Sequence, residues 1–252
     1  MPPPYVTTHW KVLVSAPHQG QGPVGDPPGK WVTKYKLKNV PNQAQLPGCQ
    51  LDRAAVRKIC QDPNSDILFG YVCAMAWGMQ GGGSGGGRNV VAAWKEKAKL
   101  ASHLMLLRTQ RLSRSAAYNL FCTEPIPGIG PSYFTKLLYF FSPIPSYIMD
   151  QWTAKSVNLL TGNLIVRMSG HIPANKNKPG NYQAFCEEVD LIAGILGCSG
   201  EVAEERIFSK GGRHRWPWRA HVWASWETSK PKGRYKAATM QAFYPHIDAN
   251  DF

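Results

Sequence analysis

The residues with the clearest chemical potential lie in the segment PIPGIGPSYFTKLLYFF, positions 125–141. Pro127, Gly128, Ile129 and Gly130 form a short turn that leads directly into an apolar, aromatic helical pattern. Glycines let the backbone turn tightly and present its amide N–H groups with no Cβ in the way. At the start of a helix such donors form an anion site that suits one DNA phosphate. The segment therefore predicts a phosphate-binding hairpin, with Ile129 packed between its two helices.

Three polar residues follow this turn and could take part in chemistry. Ser132 and Lys136 lie one turn apart on the same face of the predicted helix. Asp150 follows Ser132 by 18 positions and stands immediately before QWTAKSVNLL. An aspartate in that place is a typical helix N-cap, and a capping carboxylate is also held in one orientation. Ser132 has two interpretations as well, as a helix-start serine or as a residue of a pocket.

The elements that must position these residues are predicted to be mainly α-helical. Residues 1–50 contain nine prolines, which predicts an extended, irregular N-terminal arm with one short strand around KWVTKYKLKNV. From residue 51 onward helical patterns predict one mainly helical domain, 51–252. GGGSGGG at 81–87 is typical of a flexible loop. The basic, tryptophan-rich tail RHRWPWRAHVWASWETSKPKGRYK shows no clear period.

Some helical segments can be predicted individually. SDILFGYVCAMAW is apolar all round and predicts a buried helix that begins at Ser65 or Asp66. Residues 89–112 predict one long basic helix. NYQAFCEEVDLIAGILG carries apolar residues at helical spacing and predicts a helix that ends at Gly197.

Composition limits the classes of function. Lys and Arg number 29 against 16 Asp and Glu, so the net charge is +13. This excess favours a polyanionic partner, nucleic acid first and an anionic membrane surface second, over a basic protein without such a partner. No apolar run approaches membrane-spanning length and the first residues lack a secretory signal, so we expect a cytoplasmic protein with no membrane partner. Six scattered cysteines without a CxxC pair predict reduced core cysteines and no metal site.

Several of these segments together are similar to a known family. IPGIGPS, an apolar helix, a proline-bearing loop and YIMDQW resemble the helix-hairpin-helix (HhH-GPD) DNA glycosylases. In that family the residue two places after the second hairpin glycine is lysine or a neutral residue, and a catalytic aspartate follows about 18 positions later. Ser132 and Asp150 stand at these two positions. GIGPSYFTKLLYFF, MDQWTAKSVNLL and AGILGCSGEVAEERIFSKGG are most similar to bacterial proteins that resemble 8-oxoguanine DNA glycosylase.

The resemblance implies a DNA-binding cleft between two helical lobes, with the hairpin on the DNA backbone and Asp150 as the catalytic acid. Ser132 stands where some relatives have the attacking lysine. Because a serine hydroxyl cannot form an imine with the sugar, the resemblance implies base release by water without strand cleavage. Lys136 is the alternative amine, although we expect it to point to phosphate or solvent.

Other expectations concern the base pocket and cofactors. Trp77 and Trp152 could stack against an extruded base, but tryptophans at helical spacing more often belong to the core. The four-cysteine signature of some relatives is absent, so we expect no iron–sulfur cluster and no catalytic metal. The sequence leaves open whether the hairpin binds a structural monovalent cation.

The sequence thus predicts a monofunctional DNA glycosylase that flips a damaged or modified base out of double-stranded DNA and leaves an abasic site. Its substrate would be oxidised guanine in DNA repair or a modified phage base in antiviral defence. The main alternative is a non-catalytic helix-hairpin-helix DNA-binding protein, and a further alternative is an RNA-binding protein. No obligate protein partner is expected.

Overall fold

The structure, a computed structural model, describes residues 4–18, 20–78, 84–209, 216–231 and 237–252. Helices dominate this part of the chain, together with two short 3-10 helices and a two-stranded antiparallel sheet, β1 (Met168–Ser169) and β2 (Ile172–Pro173). The α-helices are α1 (Thr7–Ser15), α2 (Pro28–Tyr35), α3 (Arg53–Gln61), α4 (Ile67–Gly78), α5 (Ser84–Lys95), α6 (Lys97–Thr109), α7 (Arg114–Thr123), α8 (Pro131–Phe141), α9 (Gln151–Thr161), α10 (Pro179–Leu196), α11 (Gly200–Phe208), α12 (Pro217–Ser229) and α13 (Ala237–Phe243). The predicted mainly α fold class is confirmed. No helix among the described residues is both long enough and apolar enough to cross a membrane.

The chain divides into two compact units. The terminal unit comprises Met1–Gln21 and Tyr147–Phe252, and the middle unit comprises Gly22–Ser146. The structure therefore divides the chain after residue 21, whereas the sequence predicted a boundary at residue 50. The first residues join the terminal unit because the Val6 amide donates to the Leu160 carbonyl at 2.7 Å and α1 buries His9 and Leu13.

The N-terminal segment differs from the predicted extended arm with a strand, because it contains α1 and α2. α2 begins with Pro28 at its first position, where the missing N–H removes no helical hydrogen bond, and it buries Trp31 and Val32. Lys36 then takes a left-handed conformation with φ 53° and ends the helix. The prolines of this region thus begin a helix as well as form turns.

The middle unit has its core around α4 and α8. α4 is buried from Tyr71 to Trp77, as its uniformly apolar sequence predicts. Asp66 begins this helix, since its carboxylate accepts from the amides of Leu68 and Phe69 at 2.8 and 3.1 Å. α3 packs beside it through Val56 and Cys60.

The predicted glycine-rich loop 81–87 falls partly outside the described residues, which resume at Ser84. From Ser84 onward the chain is helical and forms the start of α5. A Cβ on Gly87 would lie 3.2 Å from the Tyr35 ring, so glycine permits this helix to approach α2 closely. The predicted long helix 89–112 is divided into α5 and α6, with Glu96 in a non-helical conformation between them.

The terminal unit surrounds α9, which is buried from Thr153 to Leu160. α10 ends as predicted, with Gly197 at φ 62° as its C-cap. The tail, in which the sequence shows no clear period, contains α12, which buries Trp218, Val222 and Trp226 at intervals of four residues. These three side chains form one face of a helix, so the tail is part of the folded unit.

The burial of the cysteines agrees only in part with the prediction that they belong to the core. All six lie among the described residues and are free thiols. Cys60, Cys73 and Cys186 are buried, whereas Cys49 and Cys122 are exposed. The prediction that these are core cysteines therefore holds for half of them.

Candidate DNA-contacting hairpin and acid site

The predicted hairpin connects α7 and α8 in the middle unit. Gly128 has a φ of 81°, and a Cβ there would overlap the backbone carbonyl of Asn89 in α5. The Ile129 amide donates to the Ile126 carbonyl at 3.0 Å and closes the turn. The Ile129 side chain is buried, in agreement with its predicted packing role. Glycine is thus required at residue 128 both for its backbone conformation and for close contact with a neighbouring helix.

The hairpin offers hydrogen-bond donors at the N-terminus of α8. Among the described residues, no acceptor bonds to the backbone N–H groups of Gly128, Gly130 or Ser132. Pro127 and Pro131 have no N–H group at all. The Gly130 carbonyl accepts from the amides of Tyr133 and Phe134 at 2.8 and 3.0 Å, which holds the first turn of α8 in place. Three donors at the positive end of a helix dipole are suited to bind an anion.

Aromatic packing braces both helices of the hairpin. The rings of Phe121 on α7 and Phe134 on α8 stack with centroids 5.0 Å apart, and Tyr118 packs edge-on against Phe134 at 4.8 Å. His103 on α6 is buried, and its Nε2 lies 2.9 Å from the Glu124 carbonyl at the entry to the turn. These contacts hold the turn against the packed core of the middle unit.

The two polar residues of α8 lie in different environments. Ser132 is half-buried in the first turn. Lys136 is only 9% exposed, and its Nζ donates to the Gly78 carbonyl at the end of α4 at 2.8 Å. Its Nζ also lies 5.3 Å from the centre of the Tyr133 ring. The expectation that Lys136 points to phosphate or solvent is therefore corrected, because its amine bonds to the C-terminus of a neighbouring helix.

Trp77, one of the two predicted stacking residues, belongs to the core of the middle unit. Its side chain is 3% exposed and packs edge-on against Phe140 at 5.0 Å. The guanidinium of Arg53 covers the ring at 5.2 Å. These contacts favour the core interpretation of Trp77.

Asp150 lies in the terminal unit and caps α9, as the sequence predicts. Its Oδ1 accepts from the amides of Trp152 and Thr153 at 2.7 and 3.1 Å, while the Thr153 hydroxyl accepts from the Asp150 amide at 2.9 Å. This reciprocal pair is a capping box. Within the described part of the chain, Oδ2 of Asp150 has no hydrogen-bond partner. One oxygen thus orients the carboxylate, and the other remains available for a ligand.

The chain that leads to Asp150 is also fixed by buried hydrogen bonds. The Tyr182 hydroxyl donates to the Tyr147 carbonyl at 2.9 Å, and the Thr153 hydroxyl donates to the Ile148 carbonyl at 2.7 Å. The Tyr147 hydroxyl donates to Asp190. The carboxylate is therefore held by α9 and α10 in a defined position.

Trp152, the second predicted stacking residue, lies beside Asp150 in a cluster that sequence reasoning missed. Its ring stacks on that of Trp223 in α12, with centroids 5.8 Å apart and an interplanar angle of 26°. The Arg219 guanidinium lies 4.1 Å from the centre of the Trp152 ring, and Lys155 Nζ lies 5.0 Å from it. The only sequence signal was the richness of the tail in tryptophan and arginine.

Lys155 contributes an amine to this cluster, and its side chain is buried. Its Nζ lies 3.4 Å from His171 Nδ1 and 5.4 Å from the centre of the Trp226 ring. Burial lowers the pKa of Lys155, and the positive charges of Lys230 and Arg219 act in the same direction. The carboxylates of Glu227 and Asp150 oppose this shift of the pKa, which places Lys155 within the electrostatic environment of the acid.

Comparison with known proteins links these residues to one family. A family model described as "Putative 8-oxoguanine DNA glycosylase OGG-like protein" matches residues 17–208, which are 192 of the 252 residues. The match includes both the hairpin and Asp150, and it ends before α12. Comparison with curated proteins and with solved structures gives no significant match.

Proposed function

The chain belongs to the family described as "Putative 8-oxoguanine DNA glycosylase OGG-like protein". From this membership we propose that it is a monofunctional enzyme that hydrolyses the N-glycosidic bond of a modified base in double-stranded DNA. The observation that carries the proposal is a family match that spans both the glycine hairpin at 127–130 and the capped carboxylate of Asp150. The family indicates a DNA glycosylase-like function and a DNA substrate. The reaction class, the water mechanism and the roles of individual residues are proposed.

The hairpin supports binding to the DNA backbone. The N–H groups of Gly128, Gly130 and Ser132 would donate to one phosphate at the N-terminus of α8. The net charge of +13 adds attraction to DNA of any sequence. Such contacts position the enzyme, whereas recognition of the modified base requires its extrusion from the duplex.

Asp150 supports the chemical step. A water held by Oδ2 would attack C1′ of the sugar, while the electron pair of the N-glycosidic bond leaves with the base. The base takes up one proton from solvent, and Asp150 accepts a proton from the attacking water and afterwards returns it to solvent. The remaining hydroxyl stays on C1′ of the abasic site. At ~4 Å and an effective dielectric constant near 20, the carboxylate stabilises the positive charge on the sugar by on the order of 4 kcal/mol.

Two further observations support a reaction with water instead of an amine of α8. Ser132 has no amine, so it cannot form a Schiff base with the sugar. Lys136, the alternative amine on α8, donates to the Gly78 carbonyl. Because the carboxylate accepts the proton of the water, the proposed step uses no catalytic metal.

The test is direct measurement of released bases. Purified protein is incubated with duplex DNA containing 8-oxoguanine, with undamaged genomic DNA and with modified phage DNA, and the filtrate is examined by mass spectrometry. Release of 8-oxoguanine would support a repair enzyme, and release of a phage base would support a role in defence. Binding to all three DNAs without release of any base would contradict the proposal and support the non-catalytic DNA-binding alternative.

A further inference from the structure

The Trp152–Trp223 stack has one unusually accessible member. All nine tryptophans of the chain lie among the described residues, and Trp223 is the single exposed one, with 55% of its side chain accessible. The remaining tryptophans are buried or half-buried. Exposed aromatic rings are typical of binding surfaces.

The position of this ring is fixed by the helix that carries it. α12 is anchored to α9 by Trp218, whose indole N–H lies 3.0 Å from the Ser156 hydroxyl and 3.1 Å from the Ile207 carbonyl. Arg219 is buried and donates to the carbonyls of Phe208 and Ser209. Trp223 therefore stands on a rigid support and loses little conformational freedom when a ligand binds.

The chemistry around the ring favours a nucleobase. Trp223 stacks on Trp152, which is two residues from Asp150, so the stack lies at the start of the helix that the acid caps. Lys155 and Arg219 place two cationic side chains against the same Trp152 ring. A flat aromatic surface beside cationic groups is the combination that binds unpaired bases of single-stranded or extruded DNA.

We propose that Trp223 is a stacking surface for an unpaired nucleobase of DNA, next to Asp150. This inference rests on the proposed function and adds to it a base-binding residue. Since α12 lies beyond the residues that the family model matches, Trp223 is a feature of this chain outside the family match.

The test compares two duplexes that differ only in one base. One strand carries an extra, unpaired thymidine, and in the second duplex a tetrahydrofuran abasic analogue replaces that nucleotide. Charge and length are equal, so contacts to phosphates are shared, and the change of the affinity ratio from the wild type to a variant reports contacts to the base. Stacking of one base on an aromatic ring strengthens binding by about 5- to 150-fold, so the wild type should prefer the unpaired thymidine within this range.

Variants then test whether the preference for the unpaired thymidine depends on the Trp223 ring. Trp223→Leu keeps apolar cover over Trp152 but removes the large aromatic face, so its affinity ratio should fall towards one. Trp223→Phe should keep most of the ratio. Phe243→Ala is the matched control, since Phe243 is an equally exposed aromatic residue of the same unit, 58% accessible, and its loss should leave the ratio unchanged. If Trp223→Leu loses cooperative thermal unfolding, Trp223→Met repeats the test.

Each outcome decides the inference. An unchanged ratio in a folded Trp223→Leu variant would overturn it, and so would a wild type that binds both duplexes equally. The base-release assay is read separately. A fall in the ratio without any base release would leave the stacking surface in place and contradict the glycosylase, whereas release with an unchanged ratio would overturn the stacking surface alone.

Discussion

Replacement of Gly128 by alanine should destabilise the middle unit by an amount that its geometry sets. A residue with a Cβ at φ 81° costs about 1–2 kcal/mol. The new Cβ would also overlap the Asn89 carbonyl, and overpacking against rigid backbone costs about 1–3 kcal/mol more. Alanine also lowers the conformational entropy of the unfolded chain, which stabilises the folded state by roughly 0.4–1 kcal/mol. The net loss of unfolding free energy should therefore be on the order of 2–4 kcal/mol.

Gly22→Ala is the matched control for this prediction. Gly22 lies in the same unit at φ 64°, and a Cβ there would meet nothing within 4 Å. Both variants carry the cost of a Cβ at positive φ and the same effect on the unfolded chain. The difference between their unfolding free energies therefore measures the cost of the overlap with Asn89, about 1–3 kcal/mol. Urea unfolding followed by circular dichroism measures both. Equal stability of Gly128→Ala and Gly22→Ala would refute the view that the hairpin is fixed by close contact with α5.

The remaining predictions concern pH, packing and reaction class. Burial lowers the pKa of His9 and of His221, and the neighbouring His221 adds to the shift of His9. The unfolded chain therefore binds more protons than the folded chain, and the free energy of unfolding should fall as the pH drops below 6.5. His221→Gln should reduce this dependence of stability on pH, as measured by urea unfolding between about pH 7 and pH 5. Trp218→Phe removes an indole N–H that bonds to two oxygens, the Ser156 hydroxyl and the Ile207 carbonyl. Thermal unfolding should therefore show a loss of about 1–3 kcal/mol of stability. An unchanged unfolding midpoint would contradict a stabilising role of these hydrogen bonds. Because Ser132 has no amine, borohydride added during turnover should trap no protein–DNA adduct, whereas an adduct that Lys136→Ala abolishes would show that the lysine attacks.

Much of the hairpin could be predicted because its determinants are local. Glycines at 128 and 130 between two helical patterns specify the turn, and the structure places them between α7 and α8. The cap at Asp150 is equally local, since its acceptor contacts lie two and three residues ahead. The helix that ends at Gly197 was predictable from its apolar spacing and its terminal glycine.

Features that depend on distant contacts were not predictable. Lys136 bonds to a carbonyl 58 residues away in sequence, so no local pattern could give its direction. α1 is stabilised by burial in the terminal unit, although proline-rich surroundings favour an extended chain. In α12 the spacing of Trp218, Val222 and Trp226 was a helical signal, but additional tryptophans and Pro217 obscured it. The stack of Trp152 on Trp223 joins residues from two helices, and only the fold brings them together.

Base release by Asp150→Asn tests the central claim most directly. Asparagine is as good an N-cap as aspartate, so α9 should remain intact while the negative charge is lost. Asp52→Asn is the matched control, because Asp52 caps α3 in the same way by accepting from the Ala55 amide at 2.8 Å. Loss of on the order of 4 kcal/mol of transition-state stabilisation predicts about a thousandfold slower single-turnover release for Asp150→Asn, with DNA affinity kept and Asp52→Asn unaffected. Release at the wild-type rate by a folded Asp150→Asn variant would contradict the account.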